Sequence, residues 1–281
     1  MKLLVTGGSG FLGRRVAAYF EKLGWQVLTP GHKALDITDA NALRAWFREN
    51  RPHAVIHTAA VSDTGLCQQK PEWSETINVT GTLSLAACCR EVGAKLVICS
   101  SDQVYFGSSV SGPHGEEEPL IPANVYGVQK LRAEQGSLEI LPDTVCLRLS
   151  WMYARDSAPG ERPHFLSNLE GAIADATKPL TWPIYDRRGI TDAADVVANL
   201  PKALELPGGV WNFGSANEDS TYDTVKAVLE AAEKWEALAR LTPNREAFAR
   251  NPRDISMDLT KLNAAGIVFP TTKDALLRAL Y

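Results

Sequence analysis

The sequence predicts an α/β protein, a doubly wound parallel sheet with a smaller C-terminal lobe. Three observations carry this. Short β-branched runs alternate with helical patterns through residues 1–150, the rhythm of strand–helix–strand units with right-handed crossovers. LVICS and AVIHT are nearly continuous apolar runs, as expected of strands covered on both faces. A glycine-rich turn joins the first such strand to the first helix.

The elements follow in order. Lys2–Thr6 reads as a strand, Phe11–Leu23 as a helix and Trp25–Leu28 as a second strand. Asp39 opens a helix to Asn50. A strand at His53–His57 precedes a long helix from Pro71 to about Val92. Leu96–Ser100 is the next strand, followed by a helix at Val125–Gln135 with Gly136 as its stop. Thr144–Ser150 closes this half as a strand. The rhythm then changes. Residues 152–186 are rich in Pro, Gly, Ala and charge and read as loops around one helix at Phe165–Ala176. Helices at Asp192–Leu204 and Tyr222–Trp235 flank a strand at Val210–Gly214, and further helices are expected at Asn244–Arg250 and Thr272–Leu280. The expected domains are 1–150 with about 187–235, and about 151–186 with 236–281.

Composition narrows the function class. The chain has 281 residues, 45% hydrophobic and 22% charged, enough for a sizeable core without staples. A net charge of −4 gives no footprint for nucleic acid and no polybasic membrane signal. No apolar run reaches the roughly 18 residues of a membrane span. The opening MKLLVTGGSGFLG is broken by glycines and has no small-residue cleavage site, so a cytoplasmic protein is expected. The five cysteines are Cys67, Cys88, Cys89, Cys99 and Cys146. An odd count without paired spacing argues against a disulfide framework and against zinc. No metal ligand set is expected. Cys99 and Cys146 lie in apolar runs and read as small buried hydrophobes.

Gly7, Gly10 and Gly13 follow the first strand and open the first helix. Gly7 permits the tight turn, Gly10 lets backbone approach a pyrophosphate, and Gly13 lets the helix pack on the sheet. The helix N-terminus then offers N–H groups and partial positive charge to a phosphate. Thus the sheet is of the Rossmann type. No acidic residue closes the second strand, which runs on through Thr29, His32 and Lys33. An Asp or Glu there would bind the adenosine ribose hydroxyl. Its absence beside His32 and Lys33 favours NADP(H), with NAD(H) possible. Asp36, with Ile37, lies in the connection to the next helix and suits a turn.

Tyr126 and Lys130 stand at i and i+4, on one helix face. An ammonium beside a phenol lowers the tyrosine pKa from about 10. That makes Tyr126 a usable general acid towards a carbonyl. Ser101 lies at the carboxyl end of a strand, where such sheets bind ligands, and can hydrogen-bond the same oxygen. Asn78 is either an exposed helical amide or part of the site, and Ala59, Ala60 and Val61 are small enough to admit a cofactor.

These motifs together are specific. The glycine spacing resembles that of the extended short-chain dehydrogenases/reductases. Ser100-Ser101-Asp102-Gln103-Val104-Tyr105-Phe106-Gly107, Arg148-Leu149-Ser150-Trp151-Met152-Tyr153-Ala154 and Pro252-Arg253-Asp254-Ile255-Ser256-Met257-Asp258 are similar to stretches of the dTDP-4-dehydrorhamnose reductase family. The resemblance implies reduction of the C4 ketone of a nucleotide-linked 6-deoxy-4-ketosugar. It assigns catalysis to Ser101, Tyr126 and Lys130. It assigns the cofactor to Gly7, Gly10, Phe11, Leu12, Gly13, Thr29, His32, Lys33, Asp36, Ile37, Ala59, Ala60, Val61, Cys99, Tyr126 and Lys130. Asp36 would lie close to the adenine, and Asn78 near the catalytic helix. Ser101, Asp102, Gln103 and Trp151 would meet the substrate, although Trp151 also suits a core aromatic. The expected partner is a nucleotide sugar, with the chain a monomer or homodimer.

The chain departs from the family pattern at Gln103, where a Tyr is usual, and at Phe106, where an acid is usual. Arg15 stands where some members carry a magnesium-binding Glu, and a positive charge cannot ligate a cation. Asn251 replaces the usual Arg before Pro252. Two other functions share the pattern: a sugar-nucleotide epimerase, and a non-catalytic NADP-binding subunit similar to the β subunit of methionine adenosyltransferase.

Overall fold

A computed structural model describes residues 1–157, 161–177 and 179–281. Residues 158–160 and 178, within the expected loop region 152–186, lie outside the described residues. The chain divides into two compact units, each with its own core. The first comprises Met1–Val104, Ile121–Arg148 and Val197–Trp211. The second comprises Tyr105–Leu120, Leu149–Val196 and Asn212–Tyr281.

The central sheet has six strands: β1 (Lys2–Thr6), β2 (Gln26–Leu28), β3 (Ala54–His57), β4 (Lys95–Ser101), β5 (Val145–Leu149) and β10 (Gly209–Phe213). Their order is β10-β5-β4-β3-β1-β2. β2, β1, β3 and β4 pair in parallel, with Leu3 between Val27 and Ala54. The order reverses at β1, which has β2 on one side and β3 on the other. Such a reversal opens a crevice at the carboxyl ends of the strands.

Helices cover the sheet. α1 (Phe11–Lys22) follows β1, and α2 (Ala40–Asn50) is capped by Asp39, whose carboxylate accepts from the amides of Asn41 and Ala42. α5 (Thr82–Val92) and α6 (Val125–Ile140) pack on each other. Leu4, Phe47, Val55, Leu85, Leu96 and Ile98 share one buried cluster. Cys88, Cys89 and Cys146 lie in that cluster as buried apolar groups.

The helix expected from Pro71 to Val92 is present in three pieces. α3 (Thr64–Gln69), unforeseen, precedes it with Asp63 accepting from the Leu66 amide. α4 (Pro71–Glu75) then passes through a π turn at Thr76–Gly81 into α5. The expected stop at Gly136 is wrong, because α6 runs on to Ile140. Gly136 serves packing: a Cβ there would lie 2.7 Å from Leu83 Cδ2 of α5.

The second unit is built on short pairs: β6 (Trp151–Tyr153) with β9 (Ile190–Asp192), β7 (Leu180–Pro183) with β11 (Leu241–Asn244), and β8 (Asp186–Arg187) with β12 (Arg253–Asp254). Its core gathers Tyr153, Phe165, Leu180, Ile190, Val228 and Leu276. α7 (Phe165–Ala174) stops short of Ala176, since Asp175 turns the chain by accepting from the Thr177 amide and hydroxyl. α8 (Ala193–Ala203) begins one residue after Asp192. The helix expected over Tyr222–Trp235 ends early, as α9 (Thr221–Ala231). Glu233 at φ 53 breaks it, and α10 (Trp235–Arg240) starts anew. No helix forms at Asn244–Arg250. Asn244 belongs to β11, its side chain accepts from the amides of Glu246 and Ala247, and Phe248 sits at φ 62. α11 (Thr260–Ala264) and α12 (Thr272–Leu280) complete the chain. No described helix is long and apolar enough to cross a membrane.

One buried ion pair ties α6 to β5. Arg148 donates to Glu134 Oε2 at 2.7 Å and to Oε1 at 3.1 Å, with the two side chains 3% and 1% exposed. Ser100 donates to the same carboxylate at 2.5 Å. Removing one partner leaves a buried charge alone, at a cost of about 3–5 kcal/mol. Arg148→Leu is therefore expected to lower the denaturation midpoint by that energy. The double variant with Glu134→Leu should lose much less, since neither charge then remains. Equal losses in the two variants would show that the pair is not the source.

Candidate active site

The carboxyl end of β1 carries Thr6, and Gly7 takes the left-handed conformation at φ +69. Gly10 donates its amide to the Gly7 carbonyl at 2.8 Å and starts α1 without a side-chain cap. A Cβ at Gly13 would lie 2.1 Å from that same carbonyl oxygen, so only glycine admits this approach. The turn forms one wall of a cleft of about 190 Å3. Of the expected cofactor residues, Gly7, His32, Asp36, Ile37 and Ala59 line it. Pro30, Gly31, Leu35, Thr38 and Ile77 line it too and escaped the sequence reading. Gly10, Phe11, Leu12, Gly13, Thr29, Lys33, Ala60, Val61 and Cys99 are not among its lining residues.

Asp36 does two jobs. Its Oδ1 accepts from the amide and hydroxyl of Thr38 at 2.9 and 2.7 Å, which is the turn expected of it. These bonds hold its carboxyl below the usual range. The same carboxylate faces His32 Nε2 at 3.8 Å. Thr29 instead packs over Gly8, where a Cβ would lie 2.7 Å from the Thr29 Cβ.

Two strands along, β4 ends at Ser101 and passes into a 3-10 turn at Asp102–Tyr105. α6 begins opposite, capped by Asn124, whose side-chain oxygen accepts from the Gly127 amide at 2.7 Å. Tyr126 and Lys130 lie on the buried face of α6, each 8% exposed. Lys130 Nζ donates to the Cys99 carbonyl at 2.8 Å and stands 5.6 Å from the centre of the Tyr126 ring. Ser101 lies beside the Tyr126 side chain and donates to Asp102 at 3.2 Å. Ser101, Asp102, Tyr126, Lys130 and Cys99 are thus brought together.

The electrostatics correct one expectation. Tyr126 is not lowered by Lys130. Burial first, then the Asp102 charge, push the phenol above its usual value, and the neighbouring Ser101 hydroxyl opposes them. The ammonium sits over the ring and is bound to a carbonyl, and burial lowers Lys130 itself. Tyr126 is therefore held as a neutral phenol, a proton donor rather than a ready phenolate.

Asn78 is not an exposed helical amide. It is 1% exposed, within the π turn. Its side chain accepts from the Val61 amide at 2.8 Å and donates to the Val61 carbonyl and to Gln129 Oε1 of α6. Gln129, missed in the sequence, donates onward to Ser74 and the Pro71 carbonyl. Its partners are 51 to 58 positions away, so no local signal marks it. Gln103 is 6% exposed, and its side-chain oxygen accepts from Asn124, the cap of α6. Trp151 belongs to the second unit, half-buried at the start of β6, edge to face with Phe165 and 5.3 Å from the Arg188 guanidinium. Arg15 donates to the Phe11 carbonyl at 2.6 Å and stacks on the Phe11 ring. Among the described residues no cluster of three His, Cys, Asp or Glu is placed to hold a metal.

Cys99 is half-buried rather than the fully buried hydrophobe expected, and desolvation at the end of β4 raises its thiol to about 12. Only the thiolate alkylates, so its reactive fraction near neutral pH is on the order of a ten-thousandth or less. Cys99 is expected to stay unmodified by iodoacetamide in the native protein and to react after denaturation, as read by peptide mass spectrometry. Rapid native alkylation would contradict the burial.

Comparison with known proteins fits this geometry. The family model described as RmlD substrate binding domain matches residues 1–281. A dTDP-4-dehydrorhamnose reductase of Streptomyces griseus is 31% identical, over 94% of this chain and 88% of the relative. A methionine adenosyltransferase 2 subunit beta of Xenopus laevis is 33% identical, over 95% of this chain and 83% of the relative. The crystal structure of dTDP-4-dehydrorhamnose reductase from Bacillus anthracis in complex with NADP superposes with a TM-score of 0.86 at 23% identity, covering 99% of this chain and 96% of that one. A β1 turn that only glycine admits, a Tyr126–Lys130 helix face at the end of β4, and a family match over every residue converge: the chain belongs to the RmlD substrate-binding domain family.

Proposed function

We propose that this protein is an NADP(H)-dependent reductase acting on the C4 ketone of a nucleotide-linked 6-deoxy-4-ketosugar. The best-supported reaction converts dTDP-4-dehydrorhamnose to dTDP-L-rhamnose. One observation carries the reading: a buried neutral Tyr126, beside Ser101 and backed by Lys130, at the end of the strand neighbouring the one that leads to Ala59 in the cleft wall.

The residues fit a nicotinamide dinucleotide. A side chain at Gly7 or Gly13 would collide with backbone, so the turn stays bare for a diphosphate. Ala59 and Ile37 offer apolar walls, and Asp36 and His32 offer polar ones. When bound, the cofactor supplies the hydride. The chain supplies the rest. Tyr126 gives its proton to the developing alkoxide, and Ser101 orients the same oxygen. Lys130 lies within reach of both the phenol ring and the Cys99 carbonyl, fixing the height of the ammonium above the strand end. The first unit is assigned the dinucleotide and the second, with Trp151, the sugar nucleotide. With no acid at the end of β2 and with His32 and Lys33 in the following loop, NADPH is the preferred cofactor.

Tyr126→Phe is expected to cut turnover by about two orders of magnitude or more while binding NADPH within twofold of wild type. Oxidation of NADPH after addition of dTDP-4-dehydrorhamnose, followed by absorbance, measures it. Full turnover in Tyr126→Phe would place the proton donor elsewhere. Absence of turnover in wild type, with NADPH bound, would move the substrate to another ketosugar.

The likeness to the methionine adenosyltransferase subunit favours a second reading, a cofactor-binding regulatory subunit. Stable association with a synthetase, and no NADPH oxidation with any ketosugar, would select it. The intact Ser101, Tyr126 and Lys130 weigh for the enzyme.

A further inference from the structure

Three polar side chains are buried where β1, β3 and α5 meet. His57, the last residue of β3, is 4% exposed, and Thr6 and Thr82 are each 3% exposed. His57 Nδ1 lies 2.6 Å from Thr6 Oγ1, and its Nε2 lies 3.0 Å from Thr82 Oγ1. The Thr82 hydroxyl donates to the Asn78 carbonyl at 2.8 Å. At the other end, the Ala59 amide donates to Thr6 Oγ1 at 3.4 Å, and Thr58 donates its hydroxyl to the Thr6 carbonyl at 2.7 Å.

Counting protons gives this chain a direction. Burial, reinforced by the charge of Lys130, holds His57 down to about 3, so its ring is neutral and carries one N–H. Thr82 gives its single O–H to Asn78, so its oxygen accepts, and the ring proton belongs on Nε2. Nδ1 is then a bare acceptor and takes the Thr6 hydroxyl proton. Thr6 Oγ1 remains open to the Ala59 amide. The opposite tautomer would set two lone pairs against each other at Thr82, an arrangement buried groups do not tolerate cheaply.

The chain therefore runs from the Ala59 amide, across the end of β1, into the carbonyl of the π turn. Thr6 and Ala59 both line the cleft. Asn78 clasps Val61, the far end of the same floor, through its side chain. We propose that His57 is a positioning residue: as the Nε2–H tautomer it locks the end of β1, the floor Ala59–Val61 and the π turn into one frame that receives the dinucleotide. It touches neither cofactor nor substrate. Its effect on affinity rests on the dinucleotide reading, whereas its tautomer does not.

Long-range 15N–1H correlation on histidine-labelled protein reads the tautomer directly. A protonated Nε2 and bare Nδ1 on His57, unchanged across about pH 6–8, is expected. An Nδ1–H tautomer or an imidazolium overturns the proposal. Affinity supplies the second arm. His57→Gln keeps an acceptor and a donor, whereas His57→Phe keeps the bulk alone. NADPH titration should show His57→Phe weakened about tenfold or more and His57→Gln within about threefold, whatever the thermal midpoints of the two. Unchanged affinity in His57→Phe, or equal weakening in both, overturns it. Should His57→Phe fail to fold, Thr82→Val removes the acceptor at constant shape, and the same weakening is expected, with retained affinity overturning the proposal. If wild type binds neither NADPH nor NADH, the dinucleotide reading falls, and the tautomer alone decides whether the frame exists.

Discussion

The approach of α1 to the end of β1 is the constraint on which the rest depends. Gly13 passes so close to the Gly7 carbonyl that a methyl group would stand 2.1 Å from it. That contact sets where α1 begins, and hence where the chain can leave the sheet. β1 is also where the strand order reverses, with β2 to one side and β3 to the other. The two facts share a cause. A crevice opens between diverging connections only if neither connection fills it, and glycine at the turn keeps it clear. The neighbouring wall obeys the same rule, since a Cβ on Gly7 would meet Ala59 at 2.8 Å. Small residues on both sides are one requirement seen twice.

Polar groups fix what small groups leave open. α6 must hold Tyr126 and Lys130 at one height above β4. It is held at three levels: Asn124 caps its first turn, Gln129 reaches Asn78 and Ser74, and Glu134 binds Arg148 and Ser100. Each is a buried or half-buried polar contact with its partner in place, so each specifies direction as well as distance. The same burial decides protonation. Desolvation keeps Tyr126 neutral and depresses Lys130, so the proton stays on the phenol. An i, i+4 argument alone puts the ammonium at the hydroxyl. The Cys99 carbonyl draws it to the ring face instead.

What was legible in the sequence was local. The glycine turn, the Asp39 cap, the apolar strands of the first unit and the Tyr126–Lys130 face all follow from periodicity or from partners within a few residues. What was not legible depends on distant partners or on elements too short for a period. β6, β7, β8, β9, β11 and β12 have two to four residues each. Alternation cannot be read over so few positions. Gly136 obeys the stop rule in composition and breaks it in fact, because Leu83 occupies the space a side chain would need. The Asn244–Arg250 segment has helical composition, yet Asn244 turns its own side chain on the next amides. Asn78 is marked in the sequence by the family resemblance alone. Its partners Val61 and Gln129 lie 17 and 51 positions away.

Gln103 shows how a departure from a family pattern is absorbed. A tyrosine is usual at that position in the family the sequence resembles. Here the side-chain oxygen of Gln103 accepts from Asn124, and its backbone amide donates to Ser101 Oγ at 3.2 Å. Its carbonyl lies 2.4 Å from where a Cβ on Gly127 would be, so backbone meets backbone at the start of α6. One residue thus touches the serine beside the tyrosine and the cap that starts the tyrosine's helix. A phenol in its place keeps the backbone bond to Ser101 but has no carbonyl oxygen to accept from Asn124 in that geometry. The substitution therefore acts on α6, which carries Tyr126, through one side-chain hydrogen bond to its cap. A change of side chain at Gln103 reaches Tyr126 by way of the Asn124 cap and not by way of Ser101, whose bond is to backbone.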